Sequence, residues 1–191
     1  MSDDRANEPE KVRDRAAAVR PLIRVRQIRE FTGEPPSQAE LDAIVDVARW
    51  SGSSRNTQPW RFIVLRDTAK LRTIAELGLP STRSLRTATA AIAIVLPDGA
   101  SDISLAYDDG RVAERILMAA SLLGLGAGIA WVRSEVREEI GRMLDLPHDR
   151  FIRTIMALGH PSEAARGPKS PPGQARLPRD RVVFQERWPK E

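Results

Sequence analysis

Three polar segments carry residue types whose spacing could do chemistry. Arg24-Val25-Arg26-Gln27-Ile28-Arg29-Glu30-Phe31 places three guanidinium groups within six residues. Such a cluster suits a phosphate, because the planar fork makes bidentate, charge-assisted hydrogen bonds. Ser51-Gly52-Ser53-Ser54-Arg55-Asn56-Thr57-Gln58-Pro59-Trp60 is dense in neutral donors and acceptors, the kind that read a heterocycle or a chain of hydroxyls. Gln174-Ala175-Arg176-Leu177-Pro178 adds another guanidinium near the end of a proline-rich stretch. Each segment also has an ordinary reading: an arginine-bearing helix face, a connecting loop and a solvated arm.

The residues that are missing narrow the chemistry further. Cysteine is absent, which excludes disulfides, iron–sulfur clusters, thiolate zinc sites and a cysteine nucleophile. His148 and His160 are the only histidines, so a histidine-rich metal site is excluded as well. A chain so poor in reactive side chains needs a cofactor for redox work. No catalytic side chain and no metal ligand is nominated. Asp108, Asp109 and Glu114 read as surface carboxylates paired with Arg111 or Arg115 at helical spacing. His160, after Gly159, reads as a turn residue, and nothing places Tyr107.

The chain has 191 residues with 30 basic and 26 acidic side chains, a formal charge of +4. Its pI of about 10.1 suggests nucleic acid at first sight. Lysine occurs only at positions 11, 70, 169 and 190, so the other 26 basic residues are arginine, and Tyr107 is the only tyrosine. Little then buffers a small positive excess below the lysine range, and a high pI follows from +4 alone. Basic residues are interleaved with acids, as in Arg137-Glu138-Glu139, so no nucleic-acid partner is expected. Hydrophobic residues at 41% and charged residues at 29% describe a globular chain with a core large enough for a cofactor. The longest apolar run, Ala90 to Leu96, falls far short of a membrane span, and a charged N-terminus is unlike a secretory leader. A soluble, cytoplasmic protein is the expectation.

The elements that must position these residues follow from periodicity and punctuation. Ser37-x-x-Glu40 is a capping box opening a helix with Leu41, Ile44, Val45 and Ala48 on one face, and Gly52 lies beyond its end. Trp60 to Leu65 reads as a strand, residues 68 to 77 as a short helix closed by Gly78, and Ala90 to Leu96 as a buried strand stopped by Pro97. Residues 103 to 123 form the longest helix, apolar nearly all round and so buried on most sides. Gly124-Leu125-Gly126 ends it, and Gly128 to Val132 is the next strand. Ser134 caps a helix to about Leu146, and Phe151 to Leu158 is the fourth strand, cut by Gly159-His160-Pro161. The proline-rich residues 161 to 178 read as extended chain. Helices and about four strands make one layered α+β domain.

Taken together and in order, the motifs say more than each does alone. Arg26-x-x-Arg29-x-Phe31, Ser53-Ser54-x-Asn56-x-Gln58-Pro59-Trp60, Gly124-Leu125-Gly126, Gly159-x-Pro161 and Arg176-x-Pro178 resemble the FMN-dependent nitroreductase family. The similarity runs from about residue 20 to Trp188, and Asn-x-Gln-Pro-Trp before a strand is its most specific part. The resemblance implies a three-layer α-β-α fold of the α+β class, with a central sheet of about four to five strands around a buried long helix. It implies a homodimer with FMN at the subunit interface, and ping-pong hydride transfer from NAD(P)H through the flavin to a small-molecule acceptor. Residues 1–20 would be a charged arm or helix, 21–160 the FMN-binding domain, and 161–191 an extended arm packing on the partner protomer. Arg26, Gln27 and Arg29 fall where the family holds the phosphate and ribityl chain, and Arg176 where an arginine completes the phosphate pocket. Ser53, Ser54 and Asn56 match the loop that reaches the flavin from the other protomer. Gln58 and Trp60 match the same motif and are expected to fix the loop. Ala130 and Trp131 fall where backbone groups approach the reactive edge of the flavin.

The chain departs from the family pattern at Val25, where many members have arginine, at Gln27 (serine), at Gly52 (proline) and at Gln174 (lysine in some). Fewer cations then surround the phosphate, and Arg24 is the candidate to offset the loss. The activity implied is reduction of nitroaromatic, quinone or related acceptors. Flavin-fragmenting and dehalogenating relatives are a second reading; the aspartate found near the arginine pair of the former group is Gln27 here. A flavin-binding protein without efficient turnover is a third. Residues 79 to 88 and 100 to 108, which would face the acceptor, match no specific pattern, and NADH is not separated from NADPH.

Overall fold

In the computed structural model, which describes residues 15–99, 102–167, 169–171 and 173–189, Ser37 starts helix α1 (Gln38–Arg49) through a complete capping box. Its Oγ accepts from Glu40 N at 3.2 Å, and Glu40 Oε2 accepts from Ser37 N at 2.7 Å. These bonds to Ser37 hold the Glu40 carboxyl below its usual pKa. Strand β1 (Arg61–Leu65) leads to helix α2 (Thr68–Leu77), capped by Asp67 and closed at Gly78. Strand β2 (Ala90–Pro97), helix α3 (Asp102–Leu122), strand β3 (Gly126–Trp131), helix α4 (Ser134–Met143) and strand β4 (Arg150–Gly159) follow. Residues 1–14 of the expected N-terminal arm lie outside the described residues.

The four strands form one antiparallel sheet in the order β1-β2-β4-β3, so β1 and β3 are its two edges. Ile92, Ile94 and Leu96 of β2, with Met156 and Leu158 of β4, pack against α1 and α3. Ala91, Ala93 and Val95, with Ile155 and Ala157, pack on the opposite face against α2 and α4. Helices cover both faces, which is why β2 is a continuous apolar run rather than an alternating one. The architecture is the expected three layers, with four strands at the centre.

Boundaries differ where contacts distant in sequence decide them. β3 begins at Gly126, two residues before the sequence suggests. Helix α4 takes Arg133 as its N-cap, with Ser134 already helical and no side-chain cap. It ends at Met143 because Asp145 is left-handed (φ 52) and Leu146 N turns back to Gly141 O at 3.0 Å. Helix α3 is buried towards the sheet and α1, but in the single chain Ile103, Tyr107 and Leu122 stay 66–72% exposed. Within the stretch expected to be extended, Ser162 caps one helical turn, Glu163–Arg166, and Ala165 is buried.

Candidate active site

Residues 26–31 lie along the outer edge of β3. Ile28 N donates to Ala127 O at 2.7 Å, Thr32 N to His160 O at 2.8 Å, and Phe31 bridges Pro161. The approach is close enough to need glycine: a Cβ at Gly128 would lie 2.1 Å from Ile28 O, and one at Gly126 would lie 2.8 Å from Ile28 Cγ2. In the sequence Gly126 reads only as part of a helix stop. Gly124, with φ +76, is the residue that ends α3.

With Ile28 buried, Gln27 and Arg29 turn to the other side of the segment. Gln27 Oε1 accepts from Arg29 Nη2 at 3.0 Å and from Ile129 N at 3.4 Å. These residues line a cavity of about 500 Å³ with Ile129, Trp131, Pro80, Ser81, Arg83 and Ser84. It contains two guanidinium groups and no acid. The Ser84 hydroxyl is buried with no hydrogen-bond partner among the described residues, and Trp131 is 45% exposed.

Not every expected residue reaches this cavity. The odd-numbered residues of β3 turn their backbone outward: Ala127 O to Ile28 N, Ile129 N to Gln27 Oε1, and Trp131 N to Ser81 O at 3.3 Å. Alternation therefore turns the Ala130 amide to β4, and its side chain is fully buried. Of the two neighbouring amides, that of Ile129 faces the cavity side. Arg26 points elsewhere, donating to Gly167 O at 2.6 Å, to Ala165 O at 2.8 Å and to Arg166 O. With Arg24 and Arg166 it lines a second, smaller cavity of about 250 Å³. Arg176 lies exposed on the C-terminal stretch, its Nη1 donating to Ala175 O at 2.7 Å.

The second group of candidates stands apart. Ser53–Gln58 forms a tight turn with Arg55, Asn56 and Gln58 all left-handed (φ 52, 55 and 47). Such a loop persists only where its surroundings over-determine it. Gln58 N donates to Ser53 Oγ at 2.9 Å, and Gln58 Nε2 to Asn56 Oδ1 at 3.2 Å. Both carboxylate oxygens of Asp108 on α3 accept from Ser54 N at 3.2 Å, while Arg111 Nη1 reaches Asp108 Oδ1 at 3.5 Å. Gln58 thus bonds within the loop, and Trp60 is buried in the core. Ser54, Arg55, Gln58, Asp108 and Arg150 line a third cavity, of about 600 Å³.

The carboxylates of α3 depart from expectation. Asp108 and Asp109 are only 2% and 3% exposed. Asp109 Oδ2 accepts from Thr154 Oγ1 at 2.7 Å, and its Oδ1 is buried without a hydrogen-bond partner among the described residues. Burial pushes its pKa up; the Thr154 bond and the charges of Arg153 and Arg137 pull it part of the way back. Asp108 keeps its arginine at helical spacing but is buried against the Ser53–Gln58 loop, and Asp109 is buried against β4 through Thr154.

The two candidate groups lie at opposite edges of the sheet. The loop runs into β1, while Trp131 sits on β3, three strand spacings away, roughly 14 Å, with Gln27 and Arg29 on the segment outside it. Among the described residues no helix is long and apolar enough to cross a membrane, and no group of three or more acidic or histidine side chains could hold a metal ion.

Residues 24–93 match the family model described as the nitroreductase family. The chain is 28% identical over 190 residues to the FMN reductase [NAD(P)H] of Bacillus subtilis, covering 89% of this chain and 74% of that one. An FMN-dependent nitroreductase from Clostridium difficile superposes with a TM-score of 0.75 at 25% identity, over 86% of this chain and 96% of that one. B. megaterium NfrA2 does so with a TM-score of 0.75 at 27% identity, over 90% and 75%. The chain is nitroreductase-like in sequence and in fold. In this nitroreductase-like chain the matched stretch holds both the arginine segment and the Asn-x-Gln-Pro-Trp loop.

Proposed function

We propose that this chain is an NAD(P)H-dependent FMN oxidoreductase that reduces quinones, nitroaromatics or related acceptors. The observation that carries the reading is the cavity on β3, where the Gln27 and Arg29 side chains and the outward edge of β3 meet beside an exposed indole. Those donors fit a planar, carbonyl-bearing ring, and the guanidiniums of Arg24, Arg26 and Arg166 beside the same segment fit a phosphate. FMN, when bound, supplies the two-electron transfer that no side chain of this sequence can perform. Gln27 and Arg29 would orient the ring, the Ile129 and Trp131 edge of β3 would face it, and Arg24 and Arg26 would hold the phosphate. Arg24 is then the offset for Val25. For a quinone the balance is NAD(P)H plus a proton plus quinone giving NAD(P)+ plus hydroquinone.

In this reading the active unit is a homodimer. Ser53, Ser54 and Asn56 of one protomer would complete the pocket that Gln27 and Arg29 open in the other; their separation across the sheet supports this. Ile103, Tyr107 and Leu122 of α3, and Leu177, Val182 and Trp188 of the arm from 161 to 191, are exposed in the single chain and are the apolar surface a partner would cover. Arg176 would reach the phosphate from that arm once it is docked. NAD(P)H as reductant goes with a cytoplasmic location.

The test is an absorbance spectrum of the purified protein, before and after anaerobic NADH and NADPH. A flavin band that bleaches with either nucleotide and returns on adding quinone or nitroaromatic is expected. Released cofactor should run as FMN on chromatography. FAD, or no flavin after reconstitution, overturns the reading, and bleaching without return favours a flavin-binding protein without efficient turnover.

A further inference from the structure

The cavity on β3 carries a charge that the FMN reading leaves unassigned. Arg29 is engaged by Gln27 Oε1, but Arg83, on the other wall, is exposed, and its guanidinium has no hydrogen-bond or ion-pair partner among the described residues. No acid lines the cavity, whereas the neighbouring Arg86 is neutralised by Glu76 through two bonds of 2.8 and 2.9 Å. Beside Arg83 stands the half-exposed Trp131, a flat apolar surface on which an aromatic ring can lie. An apolar face and a free guanidinium together match an aromatic molecule bearing a carboxylate or sulfonate.

Resting on the flavin reading above, we propose that Arg83 is a specificity-determining residue selecting anionic aromatic acceptors over neutral ones of the same shape. The guanidinium makes a charge-assisted bond to the acid group while the ring lies against Trp131. The preference follows the ionisation of the ligand, since a guanidinium is a permanent cation.

The probe is a pair differing only in charge, benzoate and benzamide, used as inhibitors of quinone reduction by the FMN-loaded full chain. Wild type should bind benzoate about tenfold more tightly than benzamide, the lower end of a charge-assisted bond because the guanidinium is exposed. Arg83→Gln should bring the ratio close to one, and Arg83→Lys should keep most of it. The wild-type ratio should also collapse from roughly 0.01 M to about 1 M salt, where the screening length shrinks from about 30 to about 3 Å. That measurement stands even where a variant fails to fold. A wild-type ratio near one overturns the proposal, as does an unchanged ratio in Arg83→Gln. Loss of FMN rather than of selectivity in Arg83→Gln also overturns it, by making Arg83 a cofactor ligand. A chain that reduces quinone without discriminating fails only here; a chain that binds no FMN fails the underlying reading.

Discussion

Gly128→Ala isolates the contact on which the candidate site rests. The new Cβ would lie 2.1 Å from Ile28 O, a backbone atom with no side-chain torsion through which to move away. Ordinary contact needs more than 3 Å, so the segment carrying Gln27 and Arg29 must back off β3 by about 1 Å or more. The Ile28 N to Ala127 O bond, 2.7 Å long and one residue away, is then lost. A backbone bond is worth about 0.5–1.5 kcal/mol and overpacking costs about 1–3 kcal/mol, which together give roughly 2–4 kcal/mol. For a chain of 191 residues this lowers Tm by roughly 5–15 °C. Thermal unfolding followed by circular dichroism reads the stability, and flavin absorbance after desalting reads the site. Gly33→Ala, where an added Cβ meets nothing within 4 Å, is the control and should stay within about 0.5 kcal/mol of wild type. A Gly128→Ala protein as stable as that control, with full flavin content, refutes the argument.

Two further perturbations follow from the acids of α3. Asp108→Ala leaves Ser54 N without its acceptor and frees a loop with three left-handed residues, so it should destabilise by about 1–3 kcal/mol and weaken flavin retention about tenfold or more, read by titrating FMN into apoprotein. Asp109 has its pKa raised in the folded state, so that state binds the proton more tightly than the unfolded chain does, and its contribution to stability falls as pH rises above the ordinary aspartate value. Denaturant unfolding of Asp109→Asn should therefore gain on wild type with rising pH through that interval; a pH-independent difference contradicts the assignment.

Much of the fold was legible because local chemistry decides it. The Ser37–Glu40 box, Gly78 and the left-handed Gly124 mark helix ends, and the all-apolar β2 announces a sheet covered on both faces. What was hidden depends on partners distant in sequence. Gly126 and Gly128 serve Ile28, some hundred residues earlier, and no local pattern shows it. Asp108 and Asp109 stand at helical spacing from arginines, so only the packing of α3 on the Ser53–Gln58 loop and on β4 reveals their burial. That the Ile129 amide faces outward and the Ala130 amide faces β4 is a matter of strand parity, visible in retrospect from the outward-facing Trp131. Arg83 and Ser84 lie in a short 3-10 turn with no periodicity to single them out.

Mixed dimers test the central claim, a flavin pocket shared between two chains. Differently tagged Arg29→Glu and Asn56→Asp chains are co-expressed and the heterodimer is isolated. In a shared site one pocket collects both lesions and the other is intact. The account predicts about one FMN per heterodimer and little in either mutant homodimer. A heterodimer as empty as the homodimers, or a monomeric holoprotein by light scattering, contradicts it.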